Sequence, residues 1–440
     1  MDHDQASGEV SHARLRAVTH PSTTAPGRTR GTLLVVGGGI AGISAAVEAA
    51  EAGCDVVLVE REAHLGGRVA QMYQYFPKLC PPACGLEINL RRIRTSPRIQ
   101  VHTLTEAQSV SGGPGAYRVR VRQRPRFVAD HCSACGTCAS VCPVERSSEF
   151  DFGLGKNKAA YLAYPGAWPS RYVIDGKACM GASCSKCVTD CPTQAIDLSM
   201  QPRSFDLDVA AVIWATGWRP YQASRLDDLG FGAHPDIITN MMMERLASPH
   251  GPTAGRVQCP SNGRAPASVG FVQCAGSRDD AHLPYCSGLC CMASTKHARY
   301  VRAQLPDADI FIYYIDRRAS GRQESFLAET ERDPKVRFVA GKVSKVCVEG
   351  GKPVLHVEDM GQGRRLRHSV DLVVLATGLV SSRTENHLGR DGYGFLSPVQ
   401  PSAGQLVAGC AREPMDVACA VRDANSAVLR ALAFCSMEGG

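Results

Sequence analysis

Eight of the twenty cysteines stand in two runs of four, and each run ends in Cys-x3-Cys-Pro. Thiolates at such short spacings bind metals, and the two natural choices are an iron–sulfur cube and a zinc ion. Because the ending occurs twice and zinc knuckles do not require it, the spacing favours [4Fe–4S] clusters. The runs are Cys132-x2-Cys135-x2-Cys138-x3-Cys142 and Cys179-x4-Cys184-x2-Cys187-x3-Cys191.

Two such runs in tandem are typical of a two-cluster ferredoxin. In that domain the fourth cysteine of each run ligates the other cube, so we predict a crossed arrangement of ligands. One predicted cluster is held by Cys132, Cys135, Cys138 and Cys191, and the other by Cys179, Cys184, Cys187 and Cys142.

A third group of thiols lies further along the chain, at Cys274, Cys286, Cys290 and Cys291. Adjacent cysteines do not easily form two ordinary disulfides, and four thiols this close in sequence can surround one metal centre. The spacing alone leaves an iron–sulfur cluster, a zinc ion and no metal as open alternatives.

The first organised segment has the pattern of a dinucleotide-binding βαβ unit. An apolar strand runs into Gly37, Gly39 and Gly42, an alanine-rich helix follows, and a second apolar strand ends at Glu60. The first glycine permits a tight turn, the second lets the backbone approach a pyrophosphate, and the third lets the helix and strand pack closely. Glu60 is spaced to bind ribose hydroxyls.

The motifs that follow indicate that this dinucleotide is FAD. Gly66-Gly67-Arg68 stands just past the acidic residue, and this doublet is familiar in flavoproteins with two dinucleotide-binding domains. In that class, which the segment resembles, strands ending in Ala-Thr-Gly return the chain to the flavin domain or close the second nucleotide domain. Such endings occur at Ala215-Thr216-Gly217 and Ala376-Thr377-Gly378. We assign Gly67, Arg68 and the first of these endings to the FAD site; two ordinary buried strands are the alternative.

The second half of the chain lacks a nicotinamide fingerprint. Its first apolar strand runs into Cys274, where a pyridine-nucleotide reductase would carry phosphate-binding glycines. We therefore expect no direct use of NADH or NADPH, so that electrons reach the flavin by another route.

Cys80 and Cys84 are candidates for a redox dithiol beside the flavin. Disulfide reductases of the flavoprotein class carry such a pair almost directly after the glycine doublet, whereas Cys80 lies thirteen positions after Gly67. Incidental or buried thiols are the alternative. The remaining cysteines are scattered and are predicted to be small hydrophobes in or near the core: Cys54, Cys259, Cys347, Cys410, Cys419 and Cys435.

These motifs predict an α/β flavoprotein with two dinucleotide-binding domains, a Rossmann-like FAD domain and an inserted two-cluster ferredoxin domain. The predicted divisions are a disordered lead (1–30), the first part of the FAD domain (31–124), the inserted ferredoxin domain (125–202), a return to the FAD domain (203–254), a second nucleotide-type domain carrying the third thiol group (255–380) and a C-terminal FAD-domain segment (381–440).

The composition excludes several classes of protein. Of the 440 residues, 44% are hydrophobic and 21% are charged, which is typical of globular chains and not of disordered, fibrous or membrane-embedded ones. The sequence contains neither a spanning apolar run nor the apolar core of a secretory signal. The net charge of +7 is modest and argues against nucleic-acid binding. We expect a cytoplasmic protein that reaches the inner membrane, if at all, through partner subunits.

The order of these motifs resembles the A subunits of heterodisulfide reductases. The flavin fingerprint and inserted ferredoxin are followed by Cys274-Ala-Gly-Ser-Arg-Asp and by Tyr285-Cys286-x3-Cys290-Cys291-Met292. Within that group, Tyr75-Phe-Pro-Lys-Leu-Cys80-Pro-Pro-x-Cys84 and Cys142-Pro-Val-Glu-Arg146 are most similar to the QmoA type, the flavoprotein subunits of quinone-interacting oxidoreductase complexes. The resemblance implies that the third thiol group binds a further [4Fe–4S] cluster. It also implies that the segment from Val407 to Asp416, with Gly409 and Asp416, contacts the flavin.

The resemblance further implies a function. An FAD and iron–sulfur subunit of a Qmo-like complex would exchange electrons between a membrane quinone module and adenylylsulfate reductase in dissimilatory sulfur metabolism. The second hypothesis is a heterodisulfide-reductase-like subunit that acts in thiol–disulfide chemistry or in flavin-based bifurcation. The third, from another class, is a zinc-stabilised scaffold without redox function.

Overall fold

Two parallel five-stranded sheets form the framework of the chain, and smaller antiparallel sheets accompany them. The computed structural model describes residues 31–382, 388–397 and 404–436, so the predicted disordered lead of residues 1–30 lies outside the described residues. In chain order the described strands are β1 (Leu33–Val36), β2 (Val56–Val59), β3 (Ile99–His102), β4 (Thr105–Gly113), β5 (Ala116–Gln123), β6 (Glu145–Ser147), β7 (Lys156–Lys158), β8 (Ala160–Tyr161), β9 (Val173–Ile174), β10 (Arg203–Val209), β11 (Ala211–Trp214), β12 (Trp218–Pro220), β13 (Ile237–Thr239), β14 (Ser268–Ala275), β15 (Asp309–Tyr314), β16 (Val336–Ala340), β17 (Val343–Glu349), β18 (Lys352–Asp359), β19 (Arg364–Ser369), β20 (Leu372–Thr377), β21 (Leu379–Ser381), β22 (Gly389–Arg390), β23 (Leu396–Ser397) and β24 (Gln405–Val407). The described α-helices are α1 (Ile40–Glu51), α2 (Pro82–Thr95), α3 (Thr137–Ser140), α4 (Lys186–Thr189), α5 (Asn240–Ala247), α6 (Cys290–Gln304), α7 (Gln323–Glu331) and α8 (Val417–Cys435).

The first sheet has the strand order β24-β11-β1-β2-β3, and every neighbouring pair is parallel. Its three central strands are continuous apolar runs in which every residue is buried, as expected for parallel strands covered on both faces. α1 and α8 pack against each other, and both contact this sheet. Since β24 and α8 come from the C-terminal part of the chain, the last described residues complete the sheet that the first ones began.

The second sheet repeats this arrangement, with the order β13-β20-β14-β15-β16 and parallel pairs throughout. In each sheet one inner strand leads into an Ala-Thr-Gly sequence: β11 in the first sheet and β20 in the second. The structure differs from the predicted division at residue 254, because β13 and α5 belong to the second half. The apolar residues of β13 are buried at the edge of the second sheet, so residues 203–254 do not all return to the FAD domain.

The segment between β5 and β10 is an insertion whose two ends lie side by side. These strands are antiparallel neighbours, and Gln123 stands directly opposite Arg203. An insertion that leaves and returns at paired residues perturbs its host little. The inserted segment has a small core of its own, closed by a bridge between Val128 and Ile196. None of the described helices is long and apolar enough to cross a membrane.

Candidate functional site

A cavity of about 1250 Å³ is bordered by both halves of the chain. Its wall includes the turn after β1 on one side and the first turns of α6 on the other. Of the eleven residues predicted to bind the flavin, Gly42 and Gly409 do not line this cavity. Those that line it are Gly37, Gly39, Glu60, Gly67, Arg68, Ala215, Thr216, Gly217 and Asp416.

The glycine turn before α1 has the geometry of a phosphate cradle. A Cβ on Gly42 would lie 1.8 Å from the Gly37 carbonyl oxygen, so only glycine permits the close packing of helix and turn. A Cβ on Gly39 would meet no protein atom closer than the Gly67 Cα at 4.0 Å. Gly39 also begins α1 without a side-chain cap. The free N–H groups of the first helical turn therefore face open space, an arrangement suited to an anion.

Glu60 supports the glycine turn as well as bordering the cavity. Its carboxylate accepts hydrogen bonds from the backbone N–H groups of Gly38 (2.5 Å) and Glu62 (2.8 Å). Burial raises the pKa of Glu60 to about 7, in spite of these two bonds. Any further hydrogen-bond donor would stabilise the ionised carboxylate, so Glu60 could accept hydrogen bonds from ribose hydroxyls.

Two other predicted residues test whether the cavity suits a polar cofactor. The Thr216 hydroxyl is buried at the wall and has no hydrogen-bond partner among the described residues. The Arg68 side chain is held by the Trp218 carbonyl oxygen (3.2 Å) and by Gln71 (2.9 Å). An unpartnered hydroxyl, an uncapped helix and an open glycine turn in one cavity fit the groups of FAD.

The late segment contributes through Asp416 rather than through Gly409. Asp416 lines the cavity and caps α8 by accepting the N–H of Cys419 at 2.7 Å. Gly409 donates its N–H to Asp423 (2.8 Å), and a Cβ there would lie 2.7 Å from the Cβ of Ala41. Gly409 therefore permits close packing against α1, and a direct contact of Gly409 with the cofactor stays a prediction.

The insertion also forms part of the cavity wall, which the sequence did not predict. Phe150 stacks on Tyr164 with ring centroids 5.0 Å apart, and both rings contact His64 of the first half. Arg245 of α5 bonds to Asp151 at 2.9 Å. The insertion is thereby fastened to both halves beside the cavity.

The eight cysteines of the two runs lie together in the crossed order. Burial raises the pKa of the Cys187 thiol, and so do the other thiols of its predicted set, including Cys142 from the first run. The other set borders a small second cavity: Cys132, Cys135, Cys138 and Cys191. Each predicted ligand set is thus brought together, and the binding of clusters there stays a prediction.

Backbone N–H groups donate to sulfur atoms in all three thiol groups. Such bonds are one means by which a protein sets the potential of an iron–sulfur cluster. One bond, from Ala195 to Cys191 (3.3 Å), spans four residues; in the other three the donor stands two residues after the cysteine, so the same local turn presents the sulfur. These three bonds run from Ala134 to Cys132 (3.4 Å), from Gly181 to Cys179 (3.4 Å) and from Gly288 to Cys286 (3.3 Å).

The spacing of the sulfur atoms bears on the kind of metal centre that the thiols could hold. A tetrahedral zinc ion with Zn–S bonds of about 2.3 Å holds its ligand atoms within about 4 Å of one another. Within the part of the chain that the structure describes, no three of the twelve predicted ligand thiols lie within 4.8 Å of one another. The choice between a cube and zinc at these thiols stays a prediction.

The third thiol group stands where the second sheet meets the main cavity. Cys274 is the next-to-last residue of β14 and has a φ of +54°. Cys290 and Cys291 are the first two residues of α6. Burial raises the pKa of Cys290, and the other three thiols raise it further. Since Cys290 also lines the main cavity, this group borders the predicted flavin site.

A buried charged cluster on the cavity wall was not predicted from the sequence. The Glu244 carboxylate of α5 lies 2.5 Å from Lys296 Nζ and 2.6 Å from His297 Nε2, both on α6. Burial alone would raise the pKa of Glu244, but these two neighbours outweigh it and hold the pKa at about 2. Glu244 also accepts the N–H of Tyr73 (2.9 Å), and Lys296 donates to the Gln74 carbonyl (2.7 Å). The cluster therefore joins the two halves of the chain.

The candidate dithiol is only partly at the cavity. Cys80 and Cys84 are both exposed free thiols, and Cys80 lines the cavity whereas Cys84 does not. Their action as a redox pair stays a prediction. Among the scattered cysteines predicted to be core hydrophobes, Cys347 and Cys419 are only partly buried, and the prediction is wrong for them. The buried ones are Cys54, Cys259, Cys410 and Cys435.

Sequence comparison finds known proteins that are similar to this chain. A family model described as FAD dependent oxidoreductase matches residues 32–85. The chain is 38% identical over 424 residues to the A subunit of the ferredoxin:CoB-CoM heterodisulfide reductase of Methanosarcina mazei, covering 92% of this chain and 53% of that protein. It is 35% identical over 417 residues to an iron–sulfur A subunit of the CoB–CoM heterodisulfide reductase of Methanopyrus kandleri, covering 90% and 63%. The chain thus spans between half and two thirds of the length of these relatives.

Comparison with solved structures concerns the fold alone, because the identities are low. The chain is similar to thioredoxin reductase from T. acidophilum, with a TM-score of 0.51, 12% identity and coverage of 92% of this chain and 98% of that one. For the Lactococcus lactis thioredoxin reductase the TM-score is 0.50 at 12% identity, over 92% and 99% of the two chains. The predicted Rossmann-like α/β fold is confirmed, and the ferredoxin character of the insertion stays a prediction.

Proposed function

We propose that this chain, which is similar to heterodisulfide reductase A subunits along about nine tenths of its own length, is an HdrA-like oxidoreductase subunit that passes electrons between one FAD and three [4Fe–4S] clusters. One observation carries the proposal. A single cavity is bordered by the glycine turn of the first half and by Cys290 of the third thiol group. A flavin held by that turn would share its cavity with a ligand of the third cluster.

The residues of the chain would hold these groups and fix the charges around them. When bound, FAD accepts and donates electrons singly or in pairs, and the clusters carry single electrons. The N-terminus of α1 would bind the pyrophosphate, and Glu60 would accept the ribose hydroxyls. Lys296 presents an ammonium group to the cavity, and the Glu244 carboxylate fixes its position at 2.5 Å.

We further propose that the partners are a membrane quinone module and adenylylsulfate reductase, in a Qmo-like complex of dissimilatory sulfur metabolism. The support is the segment that resembles the QmoA type, because Tyr75, Phe76, Lys78 and Cys80 of that segment border the cavity. The main alternative is thiol–disulfide chemistry of the heterodisulfide type, which is favoured by the exposed Cys80 thiol at the same place.

The experiment uses the anaerobic complex that copurifies with this chain. We expect about one FAD and about twelve iron atoms per copy of the chain, from three cubes. The reduced complex is then mixed with adenylylsulfate reductase or with CoB–CoM heterodisulfide, and flavin absorbance is followed by stopped flow. Fast oxidation by adenylylsulfate reductase alone supports the Qmo-like role.

Two results contradict the proposal. Fast oxidation by the heterodisulfide that is lost in the Cys80→Ala variant would assign the chain to thiol–disulfide chemistry. Stoichiometric zinc with little iron would support the non-redox scaffold.

A further inference from the structure

A group of three potential metal ligands lies on the antiparallel sheet β17-β18-β19, away from the residues that line the main cavity. Cys347 Sγ is 3.3 Å from His356 Nε2 and 3.3 Å from Glu349 Oε1. All three ligand atoms lie within 4.8 Å of one another. This spacing is the one that the twelve predicted cluster thiols lack, so this group has different chemistry from theirs.

The strand geometry explains why the three side chains converge. Cys347 and Glu349 stand two residues apart on β17 and therefore share one face of the sheet. His356 pairs across the hairpin with Lys345, which lies on the same face. The opposite face carries Val346, which packs into the core. The three groups therefore stand together on the outer face of a regular hairpin.

We propose that Cys347, Glu349 and His356 bind one Zn²⁺ ion. Thiolate, imidazole and carboxylate are the zinc ligands of proteins, with bonds of about 2.0–2.3 Å. At a tetrahedral angle such bonds place two ligand atoms about 3.5 Å apart, close to the two separations of 3.3 Å. Three protein ligands leave a fourth position for water or for an exogenous ligand.

Neighbouring charges are compatible with this site. The guanidinium of Arg367, which stands opposite His356 on β19, holds the Glu349 carboxylate. Arg367 Nη2 contacts both oxygens of Glu349, so a metal that takes Oε1, the oxygen hydrogen-bonded to Cys347 Sγ, would leave Arg367 on Oε2 alone. The Cys347 thiol would release its proton on binding, so Zn²⁺ with one thiolate and one carboxylate has no net charge, which is one unit more positive than the metal-free group beside Lys345 and Arg367.

The test uses the anaerobic full chain with its iron and flavin loaded, so that cluster thiols do not take up added zinc. One equivalent of Zn²⁺ is added, weakly bound metal is removed by dialysis, and zinc is measured by elemental analysis and X-ray absorption at the zinc edge. That edge is insensitive to iron and flavin. We expect one zinc per chain, with one sulfur neighbour and with nitrogen or oxygen neighbours.

The variants decide whether the bound zinc is in this group. Since even outer-shell partners are worth about 10–100-fold in metal affinity, loss of a ligand in Cys347→Ala or His356→Gln should weaken zinc binding by at least about 100-fold. Glu358→Gln is the matched control, because Glu358 is an exposed carboxylate on the same hairpin, paired with Arg365. Iron and flavin contents should stay unchanged in all three variants.

Three results would overturn the proposal. They are equal zinc binding in wild type and both ligand variants, more than one sulfur neighbour at the zinc edge, and no zinc retained by the wild type after dialysis. His356→Gln keeps the test decisive if Cys347→Ala does not fold. The readout is independent of the proposed electron-transfer function, because neither partner proteins nor redox activity enter it.

Discussion

Apart from the edge strands β24 and β13, the two parallel sheets have the same strand order, but they end differently at equivalent places. In the first, β1 is followed by a short glycine turn and α1; in the second, β14 is followed by residues 276–289 before α6 begins at Cys290. Ligands of open α/β sheets bind at the carboxyl ends of such strands. The same topology therefore presents a phosphate cradle in one half and a group of thiols in the other.

The space around the glycines shows the difference most directly. A Cβ on Gly39 would enter open space, whereas a Cβ on Gly276, the first glycine after β14, would lie 2.9 Å from the Tyr221 ring. A Cβ on Gly378, which follows β20, would likewise lie only 2.3 Å from Ser277 Oγ. At these two positions the glycines of the second half are packed against side chains, although Gly288, just before α6, has open space around it.

The largest effect is expected where the two halves are joined. Lys296→Met would leave Glu244 buried without its closest cation, and breaking a buried pair costs about 3–5 kcal/mol. We expect the free energy of unfolding, measured by urea denaturation, to fall by that amount. Lys156→Met removes an exposed lysine and should change the free energy by less than about 0.5 kcal/mol. Equal effects of the two changes would contradict a structural role for the buried cluster.

Gly39→Val tests the phosphate cradle of the first half. The φ of Gly39 is −77°, so the fold accepts a side chain there, but the side chain occupies the space in front of α1. Losing two charge-assisted hydrogen bonds of about 1.5–3 kcal/mol each should weaken FAD binding by about 100-fold or more. Flavin fluorescence measures the affinity, and iron content should not change. Loss of iron together with flavin would indicate misfolding instead.

Cys290→Ala combined with Cys291→Ala is the matching change in the second half. Without two of its four ligands the third cluster should be lost, which lowers the iron content by about four atoms per chain and leaves the FAD in place. Elemental analysis and flavin absorbance measure both on the same anaerobic sample. Unchanged iron would remove the third cluster from the proposal.

The sequence predicted the residues whose chemistry depends on local spacing. The glycine turn and both cysteine runs are short patterns, and even the crossed position of Cys191 follows from a repeated motif. Glu244 and Lys296 form no such pattern, because α5 and α6 meet only after β13 joins the second sheet. The same holds for Phe150, which reaches the cavity through the fold of the insertion. Contacts between residues far apart in the sequence could therefore not be predicted from the spacing of motifs.

A smaller effect is expected from the pH dependence of FAD binding. Burial raises the pKa of Glu60 to about 7 in the FAD-free chain, and ribose hydroxyls would favour the ionised carboxylate. FAD affinity should therefore be highest above pH 7 and should fall as the pH decreases below it, by at most about tenfold per pH unit. Glu60→Gln should remove this dependence. Titrations of the FAD-free chain between pH 5.5 and 8 measure it, and an equal slope in wild type and variant would contradict the assignment.

The same shift has an opposite consequence for the FAD-free fold. The folded pKa lies above the ordinary value of 4.5, so Glu60 stabilises the fold below pH 4.5 and this contribution is lost as the pH rises to about 7. Bound FAD should flatten this trend over that range, because an ionised Glu60 binds no more protons than the same residue in the unfolded chain. Melting temperatures with and without FAD at pH 5.5 and pH 7.5 separate the two effects.

The smallest expected effect is that of nicotinamide nucleotides on the flavin, and it tests the closed second half directly. Gly276, the first glycine after β14, is packed against Tyr221, and the loop after β14 carries the third thiol group, so we expect the predicted cluster to occupy the place where a pyrophosphate would bind. NADH and NADPH should therefore leave the flavin absorbance of the anaerobic chain nearly unchanged. A low-potential one-electron donor should reduce the clusters and then the FAD. Stopped-flow absorbance compares the three reductants on one preparation. Faster bleaching of the flavin by NADH or NADPH would mean that the second half binds a dinucleotide. The two sheets would then differ in sequence but not in dinucleotide binding.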